Sequence, residues 1–134
     1  MISAKIIKIA SNTKYAGLKN IFTHKSSVKN TLCGDFIKIE IVATKTKIKI
    51  MRYETESCVL CEAAASLLAN KVKNLPLKNI KRDIIRLSKL RGSNSSFPLR
   101  FKEFKHLIDK KTSNRINCVT LPIEAFLKAF KIAK

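Results

Sequence analysis

Two alternating stretches, set four residues apart, leave this chain few ways to fold. From Asp35 to Ala43, Ile37, Ile39 and Ile41 fall on one side, and Phe36, Lys38 and Glu40 fall on the other. That period of two is what a half-buried strand requires. Ile48 and Ile50 then alternate with Lys47, Lys49 and Met51, which predicts a second strand ending near Tyr53. The residues between, Ala43 to Thr46, suit a hairpin. Antiparallel pairing returns the chain to the sheet edge it left. It therefore brings Cys33 and Asp35, just ahead of the first strand, beside Cys58, just beyond the second.

Cys58 also opens a helix. The run Cys58-Val59-Leu60-Cys61-Glu62-Ala63-Ala64-Ala65-Ser66-Leu67-Leu68-Ala69 is dominated by strong helix formers, and the helix is expected to begin at or just before Cys58 and run to about Lys73. Residues three apart share a helix face. Cys58 and Cys61 are thus expected to point together from the first turn, where free N–H groups and the helix dipole favour a thiolate.

The remaining segments read more coarsely. Ile2, Ile6 and Ile9 have helical spacing, and Ser11 to Gly17 is a loop. A short strand is expected around Asn20 to Thr23, with His24 standing alone after it. Pro76 is placed to start a helix whose buried stripe is Leu77, Ile80, Ile84 and Leu87, with Lys81, Arg82 and Lys89 outside and Gly92 as its cap. Phe97 to Lys110 carries Phe101, Phe104 and Ile108 at helical spacing, which reads as core. A last helix begins between Arg115 and Pro122. No internal repeat or second composition zone divides the chain, so residues 1–134 read as one domain.

The net charge of +19 invites a polyanion as partner. Its spread argues otherwise, because the lysines run along the whole length together with abundant Ile and Asn, as an AT-rich coding bias would produce. Against that drift the acids stand out. None precedes Asp35, and Asp35, Glu54, Glu56 and Glu62 all fall near Cys33 or Cys58 in sequence. Lys5 and Lys8 break the apolar first ten residues, so these do not read as a secretory signal. No arginine precedes Arg52, which speaks against a mitochondrial transit peptide, and no apolar run reaches the length of a membrane span. A cytoplasmic chain with reduced thiols is the expectation. There, cysteines serve metals or chemistry more often than disulfides.

The pattern is C-x-D, then C-x-x-C, then the distant Cys118. Thiolates with one carboxylate suit tetrahedral zinc or iron bound with sulfide. Gly34 between Cys33 and Asp35 permits the tight turn that lets both reach one metal. There is no second C-x-x-C and no paired histidine, so this is not a zinc-finger pattern.

Three segments carry a closer likeness. Asn30-Thr31-Leu32-Cys33-Gly34-Asp35, Cys58 ahead of Ala63-Ala64-Ala65-Ser66, and Arg115-Ile116-Asn117-Cys118 followed by Leu121 and Ala125 resemble the U-type iron–sulfur cluster assembly family (IscU, the NifU N-terminal domain and SufU). The likeness runs from about residue 5 to the C-terminus, and the long interval from Cys58 to Cys118 is closest to the SufU type. It implies an α+β fold, a small three-stranded antiparallel sheet packed against several helices. It implies ligand roles for Cys33, Asp35, Cys58 and Cys118, toward a transient iron–sulfur cluster or zinc. It also implies a cysteine desulfurase that hands sulfur to the chain, with Cys33 the expected persulfide acceptor, and apo-proteins that take the product. The sulfur chemistry would belong to the desulfurase, so the chain itself is not expected to be an enzyme. Neither a membrane nor a nucleic acid is an expected partner.

The chain departs from that family in places. Thr31 and Ser57 stand where relatives carry Pro and Gly, and Asn117 stands where they carry His or Lys. The chaperone-recruiting L-P-P-V-K segment of IscU-type proteins is absent. Cys61 is an extra thiol that reads either as a small buried hydrophobe or as a further ligand or resolving thiol. Arg115 is a candidate partner for a thiolate or for Asp35. Two other readings stay open on the residues alone: a zinc-stabilised basic module that binds nucleic acid, and a thiol oxidoreductase built on Cys58 and Cys61.

Overall fold

The structure, a computed structural model, describes residues 4–30, 34–89, 98–107 and 116–131. Ile2, Cys33, Gly92, Ile108 and Arg115 lie outside them. In chain order the elements are α1 (Ala4–Ala10), β1 (His24–Lys29), β2 (Phe36–Ala43), β3 (Ile48–Glu56) and α2 (Val59–Val72). A mixed helical segment and a 3-10 segment (Leu99–His106) follow, and α4 (Ile116–Ala129) comes last. The mixed segment passes from a 3-10 turn (Leu77–Asn79) through a π turn (Ile80–Ile84) into α3 (Ile85–Ser88).

Among the described residues the three strands form one antiparallel sheet in the order β1-β2-β3. In the middle strand Phe36 lies opposite Lys29 on one side and Glu56 on the other, and Ile39 opposite Ser26 and Tyr53. Ile37, Ile39 and Ile41 are wholly buried on one face, as their alternation requires. Each such side chain contributes about 1.5–3 kcal/mol by leaving water. Two helices cover the sheet: α2 packs on β3, α4 on β1 and β2, and they pack on each other. Ala63, Ala64 and Ala65 are fully buried in α2, since small side chains allow this crowded helix to lie close to its neighbours. Ile6 anchors α1 against the core, and Ser66 Oγ ties α2 to the loop after α1 by donating to the Asn12 carbonyl at 2.7 Å.

Several expectations are corrected here. The first strand is His24–Lys29, not Asn20 to Thr23. Asn20 is in the left-handed region at φ +59° and cannot sit in a strand. Its amide and that of Lys19 both donate to the buried Glu40 carboxylate, at 3.0 and 2.9 Å. His24 does not stand alone, because its ring stacks on Phe130 with centroids 4.3 Å apart. The second strand extends three residues past Tyr53 and changes phase within itself. Val42 pairs with Ile50 and Ala43 with Ile48, leaving Lys49 without a partner on β2. An extra residue of this kind is a β-bulge. Beyond it Met51 and Tyr53 turn inward, at 0 % and 4 % exposure, while Ile50 is only half-buried.

The helices after α2 also differ from their predicted form. Ile80, Ile84 and Leu87 are buried as expected and Leu77 half-buried, but the helix is irregular along its length. Leu99–His106 is 3-10 rather than α. The segment kinks at Phe101 (φ −110°, ψ 17°), and Phe101, Phe104 and Leu107, three residues apart, are all fully buried. The last helix, described over Ile116–Ala129, continues through Pro122.

Candidate metal centre

Three element starts meet at one place. Asp35 immediately precedes β2, Cys58 is the residue that caps the N-terminus of α2, and Cys118 is the third residue of α4. The turn leading to Asp35 is closed by two backbone bonds: Gly34 N–H donates to the Asn30 carbonyl at 2.7 Å, and Asn30 N–H donates to the Asp35 carbonyl at 2.8 Å. Gly34 has φ +78°. A Cβ there would meet no atom within 4 Å, so glycine is required by the backbone angle and not by crowding. Register does the rest. With Phe36 opposite Glu56, Asp35 and the start of α2 share one end of the sheet, as the hairpin demanded.

A carboxylate oxygen of Asp35 and the Sγ atoms of Cys58 and Cys118 all lie within 4.8 Å of one another. A tetrahedral zinc with bonds of about 2.0–2.3 Å spaces its donors about 3.3–3.8 Å apart. Closing the set on such an ion thus takes at most about 1.5 Å of movement. The chemistry of the donors also fits a cation. Asp35 Oδ2 is buried without a hydrogen-bond partner, and such an atom costs about 1–3 kcal/mol while it stays unmatched. The Cys118 thiol is pushed far above its ordinary range, first by burial and then by its contacts with Cys58 and Asp35 and by their negative charge. Each of these penalties is relieved by a positive ion. Cys58 makes no capping bond through its side chain, which leaves its sulfur free for the cluster of donors.

Cys61 behaves differently from Cys58, and the expected shared face is corrected. Cys58 has φ −73° and ψ 167°, outside helical values, so its side chain does not follow the helical spacing that would align it with Cys61. Cys58 is half-buried, whereas Cys61 is wholly buried and is not one of the three converging donors. Burial pushes the Cys61 thiol up to about 12, against the opposing effect of contacts with Ser57 and Thr55. Thr55 Oγ1 lies 3.9 Å from Cys61 Sγ, 2.8 Å from Ser57 Oγ and 2.7 Å from the Phe36 carbonyl oxygen to which it donates. The sequence marked Ser57 only as standing where relatives carry Gly, and the sole signal for Thr55 was its place near the end of β3. Cys33 and Arg115 lie outside the described residues, and Asn117, beside Cys118, is exposed.

The model of the NifU-like N-terminal domain matches residues 1–91 of the chain. The chain belongs to this family. The match takes in Asp35 and Cys58, while Cys118 lies beyond it. Solved structures agree on the fold over nearly the whole length. The N-terminal part of a NifU-like protein from Brucella abortus superposes with a TM-score of 0.78 at 19 % identity, over 96 % of this chain and 91 % of that one. A candidate iron–sulfur cluster assembly scaffold protein for the SUF system of Fervidobacterium islandicum gives a TM-score of 0.78 at 16 % identity, over 96 % and 95 %. No curated protein matches this NifU-like chain in sequence. Among its described residues, no helix is long and apolar enough to cross a membrane.

Proposed function

We propose that this NifU-like chain, as one domain of 134 residues, is a scaffold for iron–sulfur cluster assembly and accepts sulfur from a cysteine desulfurase. The observation that carries the reading is the meeting of Asp35, Cys58 and Cys118 around an unmatched buried carboxylate oxygen. Cys33, two residues before Asp35 in sequence, would make the set three thiolates and one carboxylate. Soft sulfur donors hold iron or zinc firmly, and the single oxygen donor is the weaker bond through which cargo is released to acceptor apo-proteins. Cys33, the cysteine of the Cys33-Gly34-Asp35 element, takes the incoming sulfur. Zinc at the same donors would hold the site in a resting form. The work proceeds in the cytoplasm, where thiols stay reduced.

One observation weighs against a nucleic-acid module: Phe101 and Phe104, which lie among basic residues in sequence, are fully buried and offer no stacking surface. The test is anaerobic reconstitution with ferrous iron, cysteine and a cysteine desulfurase, followed by absorption spectroscopy and by iron and sulfide analysis. Sulfide-containing chromophore on the wild-type chain, lost in Cys58→Ser and Cys118→Ser, supports the reading. Metal without sulfide in every preparation overturns the scaffold role.

A further inference from the structure

A cavity of about 530 Å³, lined by none of the three converging donors, opens where Lys25 of β1, Lys38 of β2 and Lys128 of α4 come together. We propose that it is an anion site, separate from the metal centre, that takes a phosphate group, either free or as the monoester of a small molecule.

Strand register puts the lysines there. Lys38 stands between the buried Ile37 and Ile39 and is exposed on the opposite face. Ser27 lies directly across from it, and Lys25 lies across from Glu40. Lys128, in the last turn of α4, reaches the same place, and its Nζ donates to the Ser27 carbonyl at 2.9 Å. Three separate elements thus bring a lysine to one cavity.

What holds these ammonium groups is not negative charge. Lys25 Nζ lies 4.7 Å from the centre of the Phe22 ring, and Lys38 Nζ lies 5.6 Å from that of Phe36, both within the range of a cation–π attraction. Lys128 is held by a carbonyl. None of the three takes part in an ion pair, since those among the described residues are Lys71–Glu103 and Arg82–Asp83. The acid that lines the cavity, Glu40, is engaged elsewhere, because its Oε1 accepts the amides of Lys19 and Asn20 at 2.9 and 3.0 Å. The lining therefore sets three positive charges against one negative. Rings and a carbonyl fix the cations without neutralising them, and such a concave positive site gathers anions.

The chemistry selects among anions. A planar carboxylate is best met by the flat fork of an arginine, and no arginine lines the cavity. Ammonium groups are point charges, and several set around one space suit a tetrahedral phosphate, whose oxygens point in several directions. A phosphate monoester carries about −1.5 to −2 at neutral pH, which matches the excess of lysine over Glu40. The volume lies within the ordinary range for a small-molecule site, about 300–1,000 Å³. It exceeds what phosphate alone fills and leaves room beside Leu18 for an organic body.

The experiment titrates the full zinc-loaded chain at low salt with inorganic phosphate and, separately, with AMP, followed by calorimetry and by backbone amide shifts. Saturable binding at one site is expected, with shifts gathered at Asn20, Ser27 and Lys38. The triple variant Lys25→Gln, Lys38→Gln, Lys128→Gln is expected to bind about tenfold more weakly. A control triple, Lys78→Gln, Lys102→Gln, Lys105→Gln, removes the same charge at exposed positions outside the cavity and is expected to bind as the wild type does. AMP bound more tightly than phosphate supports a site for monoesters, and equal affinity supports one for free phosphate. Equal losses in the two triples mean diffuse attraction by a chain of charge +19 and overturn the proposal. So do shifts confined to the metal centre, or no saturable binding by the wild type. If circular dichroism shows the cavity triple unfolded, Lys38→Gln alone and the wild-type shift map decide in the same way. A mixed-sequence oligonucleotide that binds more tightly than either probe, through the same lysines, overturns the small-molecule assignment in favour of nucleic acid.

Discussion

Replacing Asp35 by alanine should make the metal-free protein more stable and the zinc-loaded protein less stable. In the metal-free chain Asp35 is 7 % exposed and its Oδ2 has no partner. An unmatched buried polar atom costs about 1–3 kcal/mol. Part of that is offset by the free N–H groups at the starts of α2 and α4, which favour negative charge nearby, and part by the small gap alanine leaves. A net gain of about 1 kcal/mol is expected for the metal-free variant, or roughly 4 °C in Tm for a domain of this size. Zinc reverses the order. At free zinc of 100 times the wild-type Kd, binding stabilises the wild type by about 2.7 kcal/mol. Loss of a neighbour that merely orients a ligand weakens metal sites by about 10–100-fold, so loss of a donor is taken as about 100-fold. The variant then gains only about 0.4 kcal/mol. It should melt roughly 4 °C above the wild type in chelator and roughly 5 °C below it in zinc. Paired thermal melts at fixed chelator and fixed free zinc measure both. A variant that is destabilised by the same margin in each condition makes Asp35 an ordinary structural carboxylate, and equal gains from zinc remove it from the donor set.

Met51→Ala should cost about 2–5 kcal/mol in urea unfolding, because the bulge at Lys49 turns Met51 fully inward. Ile50→Ala should cost clearly less, and the reverse order would mean that the strand keeps its phase. Cys33→Ser should abolish sulfur transfer from a desulfurase at physiological salt while leaving any DNA retention unchanged; undiminished transfer would move the acceptor role to another cysteine. The Glu103 carboxyl is held below its ordinary range, first by its hydrogen bond to Lys71. A carboxylate depressed in the folded state adds stability that is present above its ordinary value near 4.5 and is lost as pH falls through the lower folded value. Lys71→Met should therefore reduce stability at neutral pH more than in strong acid, and a difference independent of pH would show that the pair does not hold in solution.

The alternation of Ile37, Ile39 and Ile41 was legible because burial of one sheet face leaves a local trace in sequence. The first strand left none. Its inward residues are His24, Ser26 and Val28, which do not form an apolar series, and what holds Ser26 in place is a bond from its hydroxyl to the Ala125 carbonyl, 99 residues away. Lys49 was equally silent, since a bulge is fixed by which residues pair across β2 and β3 and not by the composition of either. At the site, the hairpin alone was enough to place Asp35 near Cys58. Cys118 is different. Nothing local ties it to the other two, and only the likeness of Arg115-Ile116-Asn117-Cys118 to a known family pointed there. Position in α4 brings it in, because that helix packs on β1 and β2 and covers the isoleucines of β2.

The converging donors share a property that explains how so short a set of side chains can meet. Asp35, Cys58 and Cys118 all sit where an element begins. Side chains of one or two carbons have little reach, so the backbone must carry their heads to the site. Three starts aimed at one point do this without long, entropically costly arms. Two of those starts are helix N-termini, whose unpaired N–H groups favour negative charge. That help is not sufficient by itself, because burial and the neighbouring Cys58 and Asp35 still push the Cys118 thiol far upward. Pro122 adds a further local strain, since it has no N–H to give the Cys118 carbonyl four residues earlier. The metal-free centre is therefore held together by the fold against its own electrostatics. A cation reverses the balance, because each anion that opposes its neighbours then becomes a ligand. On this account zinc should release protons as it binds, and the number released should fall in Cys118→Ser, where a thiol that its surroundings push upward is gone. Isothermal titration in buffers of different ionisation enthalpy counts those protons, and an unchanged count in that variant would mean that Cys118 is already a thiolate before the metal arrives.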